Sequence, residues 1–255
     1  ITGLLAIWTF RTWLRLDFLD KNISKIADRF ISRGGNFHTD PSDLVARLKS
    51  IRGLIFDWDG VFNNGTKGSG LASTYSEADS MGTNMLRYGL WLFNKSLPIT
   101  AIITGETNSS AQFLAEREHF HVIYEGIRNK REVVDELCGD YALEYKNLIC
   151  VFDDINDLNM ASVCGIRIMV RQSSAPLLEN FVVKEGLVDY VTAAESGRQA
   201  VREVAELLLG LMGSYETVVR SRIAMDKQYQ AYFKERQGIL TAHQNRKDMG
   251  KESRL

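Results

Sequence analysis

Short apolar runs alternate with amphipathic stretches over most of the chain. The runs fall at 53–57, 99–103, 121–124, 148–152 and 166–170. Each is bounded by turn residues and is too short for a helix, which predicts strands buried on both faces. Between them, helical periodicity covers residues near 80–94, 107–118, 129–139, 156–162 and 175–181. Strands alternating with helices predict a parallel sheet covered on both sides. Residues 59–81 break this rhythm. Val61-Phe62-Asn63-Asn64-Gly65 and Lys67-Gly68-Ser69-Gly70 are turn-rich, and they predict a hairpin inserted beside the first long strand. At the amino end a helical pattern runs to about residue 33 and stops at Gly34-Gly35. A polar link, Asn36 to Pro41, then leads to a helix start at Ser42-Asp43-Leu44-Val45. Residues 197–235 read as one or two helices, and the polar tail from Asn245 is expected to fray. The expected organisation is a helical extension over 1–40, an α/β domain over 41–212, and a helical extension with a polar tail over 213–255.

The strand ends carry the chemistry. Gly53-Leu54-Ile55-Phe56-Asp57-Trp58-Asp59-Gly60-Val61 delivers two carboxylates, one residue apart, onto a glycine turn. In open α/β sheets, ligands bind beyond the carboxyl ends of the strands. Three further pieces follow in order: Ile102-Ile103-Thr104-Gly105, then Lys130, then Phe152-Asp153-Asp154-Ile155-Asn156-Asp157. A carboxylate can attack phosphorus and split one hard hydrolysis into two easier steps, which suits Asp57 at the strand end. Asp59 on the following turn can protonate the leaving oxygen and later deprotonate water. The Thr104 hydroxyl, the backbone at Gly105 and the Lys130 ammonium can hold phosphate oxygens. Several carboxylates beside a phosphate require a hard cation. Mg²⁺ takes octahedral oxygen ligands, which Asp57, Asp153 and the backbone carbonyl of Asp59 can supply. Asp154 is an alternative ligand, and Asp157 is expected one layer out, orienting waters or Lys130. An Asp-x-Asp alone is often a turn or a helix cap; the ordered set gives it a catalytic reading.

Composition narrows the partners. The chain has 255 residues, is 45% hydrophobic, and carries a formal net charge of −1, so its charge gives no support to a nucleic-acid or acidic-membrane partner. Three scattered cysteines, Cys138, Cys150 and Cys164, neither form a disulfide framework nor a metal cluster, which fits a reducing, cytoplasmic setting. The apolar start, Ile1 to Phe10, is interrupted by Arg11, well short of the ~20 residues a membrane span needs. It lacks the basic start and small-residue cleavage site of a secretory signal. Trp8, Phe10, Trp13 and Phe18 are expected to form a packing stripe against the domain or a neighbouring subunit. His119 and His121 lack ligand spacing and are expected to be structural, and Trp58 is expected to point away from the acids.

The order Asp-x-Asp-Gly-Val, Ile-Thr-Gly, Lys and Asp-Asp-x-x-Asp resembles the haloacid dehalogenase superfamily of phosphohydrolases. More narrowly, the stretch from about Ser42 to Gly210 resembles its capless group, which contains the 3-deoxy-D-manno-octulosonate (KDO) 8-phosphate phosphatases and related nonulosonate 9-phosphate phosphatases. The narrower marks are Gly60-Val61-Phe62 before the hairpin, Asp79-Ser80-Met81-Gly82, Tyr124-Glu125-Gly126 leading to Asn129-Lys130, and Ser196-Gly197-Arg198-Gln199-Ala200-Val201-Arg202-Glu203. The resemblance implies a doubly wound, Rossmann-like parallel sheet with a hairpin in place of a cap. It implies Mg²⁺-dependent hydrolysis of a phosphorylated acidic keto-sugar, with Asp57 as nucleophile, Asp59 as acid/base, Thr104 and Lys130 on the phosphate, and Asp153 on the metal. Asn64, Asp79, Gly105 and Arg198 are the implied substrate contacts. It also implies a homotetramer in which a neighbour's hairpin and carboxyl-terminal segment help close the site.

The chain departs from that pattern at Glu106, where the family carries Arg, and at Asn63-Asn64, Ser80 and Phe152. These positions touch substrate contacts or local backbone, and none removes a catalytic group. A phosphatase for another small phosphomonoester and a non-catalytic oligomerisation or interaction module are the competing readings. Receiver domains of response regulators combine similar residues in a different order.

Overall fold

The run Gly53–Phe56 is the central strand β2 of an eight-stranded sheet. The computed structural model describes residues 21–246. The expected aromatic stripe at Trp8, Phe10, Trp13 and Phe18, and the frayed tail from residue 247 on, lie outside the described residues. Within them, α1 runs through 21–31, followed by β1 (Asn36–Phe37), α2 (Pro41–Leu48), β2, α3 (Glu77–Asn94), β3 (Ile99–Ile103) and α4 (Ser109–Arg117). Next come β4 (Val122–Glu125), α5 (Lys130–Asp140), β5 (Leu148–Phe152), α6 (Leu158–Ala161), β6 (Ile166–Arg171), α7 (Pro176–Lys184) and β7 (Tyr190–Glu195). The chain ends in α8 (Ala200–Leu211), α9 (Tyr215–Ala224), α10 (Lys227–Gln237) and β8 (Ala242–Asn245).

The strand order is β1-β7-β6-β5-β2-β3-β4-β8, with every neighbouring pair parallel except β1 with β7. All five predicted strands are present. Alternation along β2 sends Leu54 and Phe56 into one core and Ile55 into the other. Trp58 continues the Leu54–Phe56 face, fully buried and stacked 5.1 Å from Phe62, as expected from its parity. His121 is likewise structural: its Nδ1 accepts the Thr100 N–H, and burial pushes its pKa down to about 4.

The predicted hairpin at 59–81 takes a reduced form. Among the described residues the insertion has one antiparallel bridge, Gly68 to Leu71, and no cap domain rises from it. Three further strands exceed the sequence reading: β1, in the expected polar link, pairs antiparallel with β7. β7 extends the sheet beyond β6, and β8 pairs with the outer edge of β4. The polar run Ala242–Asn245 has no strand signature of its own; it is a strand because β4 offers an edge of unpaired backbone groups.

Helix α8 packs tightly along α3. A Cβ at Gly89 would meet Leu209 Cδ2 at 2.2 Å, so a larger residue there would force the Leu209 side chain to move. α9 and α10 lie on the same side, tied down by a buried polar cluster. Glu118, 5% exposed, accepts from Arg236 Nη1 at 2.6 Å, Ser80 Oγ at 2.9 Å and Asn84 Nδ2 at 3.0 Å. The Tyr232 hydroxyl donates to the Asn84 carbonyl at 3.0 Å. Removing one partner of a buried ion pair strands the other charge, so Arg236→Met is expected to cost about 3 kcal/mol. A urea unfolding midpoint unchanged from wild type would contradict this.

Candidate active site

The site forms where β2, β3, β4 and β5 release their chains at the carboxyl edge of the sheet. A cleft of about 620 Å³ opens there, lined by Asp57, Asp59, Asn64, Thr104, Gly105, Glu106, Lys130, Asp153, Asp154 and Asp157. Asp57 follows directly on β2 and is buried. Lys130 is the first residue of α5, 4% exposed, and its ammonium lies between Asp57 and Asp157, paired with both. Burial alone would lower the Lys130 pKa, but Asp57 and Asp157 carry it well above the ordinary lysine value. This lysine is a fixed positive charge.

Asp57, Asp153 and Asp157 bring ligand oxygens within 4.8 Å of one another. Burial, reinforced by Asp157, pushes the Asp57 pKa up to about 7 against the pull of Lys130. Burial and the charges of Asp57, Asp157 and Asp154 push Asp153 up to about 9. One ammonium does not balance three buried carboxylates. Such an oxygen-rich, over-acidic pocket has the donor set of a hard divalent cation. Asp153 is held by Gln172 Nε2, which donates to its Oδ2 at 2.7 Å. Asp157 accepts at Oδ2 from the backbone N–H groups of Asp153 and Asp154, both at 3.3 Å. Asp157 thus aims Lys130 and shapes the loop, while its ligand oxygens lie in the cluster itself rather than one layer out from it. Asp154 is exposed, lines the cleft and caps the turn at Ile155 N at 2.7 Å, and it is not one of the three clustered acids.

Gly60 makes this arrangement possible. Its φ is +89°, and a Cβ there would lie 1.9 Å from Asp153 Oδ2. Gly60→Ala is expected to displace Asp153 or the turn carrying Asp59 and to lower kcat by about 10²-fold. Steady-state turnover of an aryl phosphate would check this.

Asp59 sits on the turn with its carboxylate directed away from the metal-type cluster. Its Oδ1 accepts from Ser73 Oγ at 2.7 Å, and its Oδ2 pairs with Lys67 at 3.0 Å. Ser73 Oγ itself accepts from Trp58 Nε1 at 2.9 Å and Asn108 Nδ2 at 2.7 Å, which leaves its one proton for Asp59. Thr104 ends the chain leaving β3, with Gly105 and Glu106 following along the cleft wall.

Two predicted substrate contacts are elsewhere. Asp79 is 1% exposed in the joint between α3 and α8, where its Oδ1 accepts from Arg202 N at 2.9 Å and its Oδ2 from Ser76 Oγ at 2.9 Å. It anchors two helix N-termini, where a carboxylate opposes the helix dipole favourably. Arg198 is exposed and lines a separate groove between α1 and α8. Within a single chain neither reaches the cleft. Conversely, Lys67, Arg128, Gln172 and Ser174 line the cleft without having been singled out. Arg128, Gln172 and Ser174 follow strands at their carboxyl ends, the signal that located the acids. Lys67 and Ser73 carried no such signal, since the insertion alone brings them to Asp59.

No family model matches the chain. The KDO 8-phosphate phosphatase of Escherichia coli K12 is 29% identical over 175 residues, which span 69% of this chain and 88% of that protein. The crystal structure of the corresponding Yersinia pestis phosphatase superposes with a TM-score of 0.57 at 27% identity, covering 68% of this chain and 89% of that one. The Moraxella catarrhalis KDO 8-phosphate phosphatase, solved with magnesium, phosphate and KDO, shares the fold with a TM-score of 0.58 at 22% identity, covering 71% of this chain and 98% of its own. Among the described residues no helix is long and apolar enough to cross a membrane. With the sheet order, the clustered carboxylates and these relatives together, the chain is similar in sequence and fold to the KDO 8-phosphate phosphatases.

Proposed function

We propose that the protein hydrolyses a phosphomonoester in two displacements at Asp57, with Mg²⁺ as cofactor. The observation that carries this is a buried carboxylate at a strand end, paired to a buried ammonium and crowded by two further acids in one open cleft. Asp57 attacks phosphorus, an acyl phosphate forms, and the ester oxygen leaves as an alcohol with a proton from Asp59. Water then attacks phosphorus, its proton passes to Asp59, the acyl–phosphate bond breaks, and inorganic phosphate departs. Lys130 holds charge on the transferring group, with Thr104 and the Gly105 backbone beside it. Asp57, Asp153 and the Asp59 carbonyl would hold Mg²⁺, which neutralises the charge shared by the carboxylates and the phosphate.

The proposed substrate is a phosphorylated acidic keto-sugar such as KDO 8-phosphate or a nonulosonate 9-phosphate, following the relatives. Glu106 and Asn64 on the cleft wall favour a second reading, a phosphomonoester without a carboxylate near Glu106, because like charges there are unfavourable. The cleft is open on its own, which suits a homotetramer that closes it, in the cytoplasm. Sedimentation velocity tests the assembly.

The function is tested by phosphate release across sugar and keto-sugar phosphates, with and without Mg²⁺. Metal-dependent turnover of one keto-sugar phosphate is the expected result. Comparable weak turnover of all compounds would support the second reading, and no release even from an aryl phosphate would overturn the enzyme assignment.

A further inference from the structure

The groove that holds Arg198 has a chemistry of its own. It measures about 590 Å³ and shares no lining residue with the catalytic cleft. Four guanidinium groups line it: Arg29 from α1, Arg33 from the turn that follows it, Arg198 from the loop before α8, and Arg202 from the first turn of α8. In a chain whose net charge is −1, this is a local concentration of cations. The two acids in the groove offset four cations only in part. Glu203 is turned inward, accepting from Tyr190 Oη and the Ala193 N–H at Oε1 and from the Ala194 N–H at Oε2. Glu206 pairs with Arg202 at 2.8 Å. Arg33 spends one N–H on the Arg29 carbonyl, and among the described residues neither Arg29, Arg33 nor Arg198 has an acidic partner. Half-buried Phe30 and Tyr215 supply the apolar wall.

Guanidinium forks match phosphate oxygens in pairs, and they stack on planar groups as readily as aromatic rings do. We propose that this groove is a second anion-binding site, taking a small phosphorylated ligand with a planar apolar part, a nucleotide in class. Its phosphates meet Arg29, Arg33 and Arg198, and its planar part lies against Phe30 or Tyr215. The site is also close to the catalytic loop. Ser196 Oγ donates to the Asn63 carbonyl at 2.8 Å, and Gly197 packs against Asn64, which lines the cleft.

The test is calorimetric titration of ADP, in the presence of EDTA, into the full-length Asp57→Asn protein, which suppresses turnover. Saturable binding is expected, with affinity reduced at least tenfold when Arg29→Ala and Arg198→Ala are added. Both side chains are exposed, so the thermal midpoint should stay within a few degrees. The single variants Arg29→Gln and Arg198→Gln should each weaken binding severalfold, which keeps the result independent of the double change. Methylenediphosphonate should bind more weakly than ADP and respond to the same substitutions. No saturation by millimolar ADP, or affinity unaltered by the arginine substitutions, would overturn the proposal. Equal affinity of ADP and methylenediphosphonate would remove the planar part of it.

Discussion

Asp57→Asn is expected to lower kcat toward any phosphomonoester substrate by at least about 10³-fold, because the amide cannot form the acyl phosphate. The same substitution should leave the metal-free protein at least as stable as wild type. Burial, with Asp157 beside it, raises the Asp57 pKa to about 7, so removing its charge relieves the burial penalty and the repulsion it exerts on Asp153 and Asp157. Lys130 keeps Asp157 as a partner. The two measurements separate the roles of the residue. A structural acid, lost, would lower the thermal midpoint and spare residual turnover; a nucleophile should do the reverse. Turnover within tenfold of wild type would remove Asp57 from the chemistry.

Chelation of divalent cations is expected to abolish turnover, and to make stability depend on pH in a particular direction. Asp57 and Asp153 have native pKa values of about 7 and 9, against ordinary values of 3.8. Between those limits the folded protein holds protons that the unfolded chain has released, so stability of the metal-free protein falls as pH rises from about 4 through 9. A bound cation offsets the charge that burial penalises. Mg²⁺ should therefore raise the thermal midpoint by several degrees at pH 8.5 and by much less at pH 5.5. Asp153→Asn should shrink that difference. Equal stabilisation at both pH values would place the cation away from this cluster.

The buried acids and the polar joints divide differently between sequence and structure. Asp57, Thr104, Lys130 and Asp153 were legible because each follows an apolar run or opens a helix, and a parallel sheet gathers its strand ends at one edge. Asp79 belongs to the same motif set yet serves as an anchor between α3 and α8. Nothing in Asp79-Ser80-Met81-Gly82 distinguishes a carboxylate facing a ligand from one facing two helix N-termini. Arg198 lies outside the cleft for a related reason. Arg198 precedes α8, whose cap Gln199 has φ +65°, so the helical spacing with Arg202 is not realised and the side chain lines the groove beside α1.

What the sequence determined by itself is the alternation of the five central strands with their helices, the edge at which their ends gather, and the acids, threonine and lysine that meet there. These follow from local periodicity and from the rule that parallel strands end together. Only the tertiary structure decided that Ser73 and Lys67 orient Asp59, that Gly60 leaves room for Asp153, and that four arginines share one groove. It also decided that the polar run Ala242–Asn245 is a strand. Each of these depends on contacts between segments far apart in the chain, where burial and close approach, rather than local pattern, set the outcome.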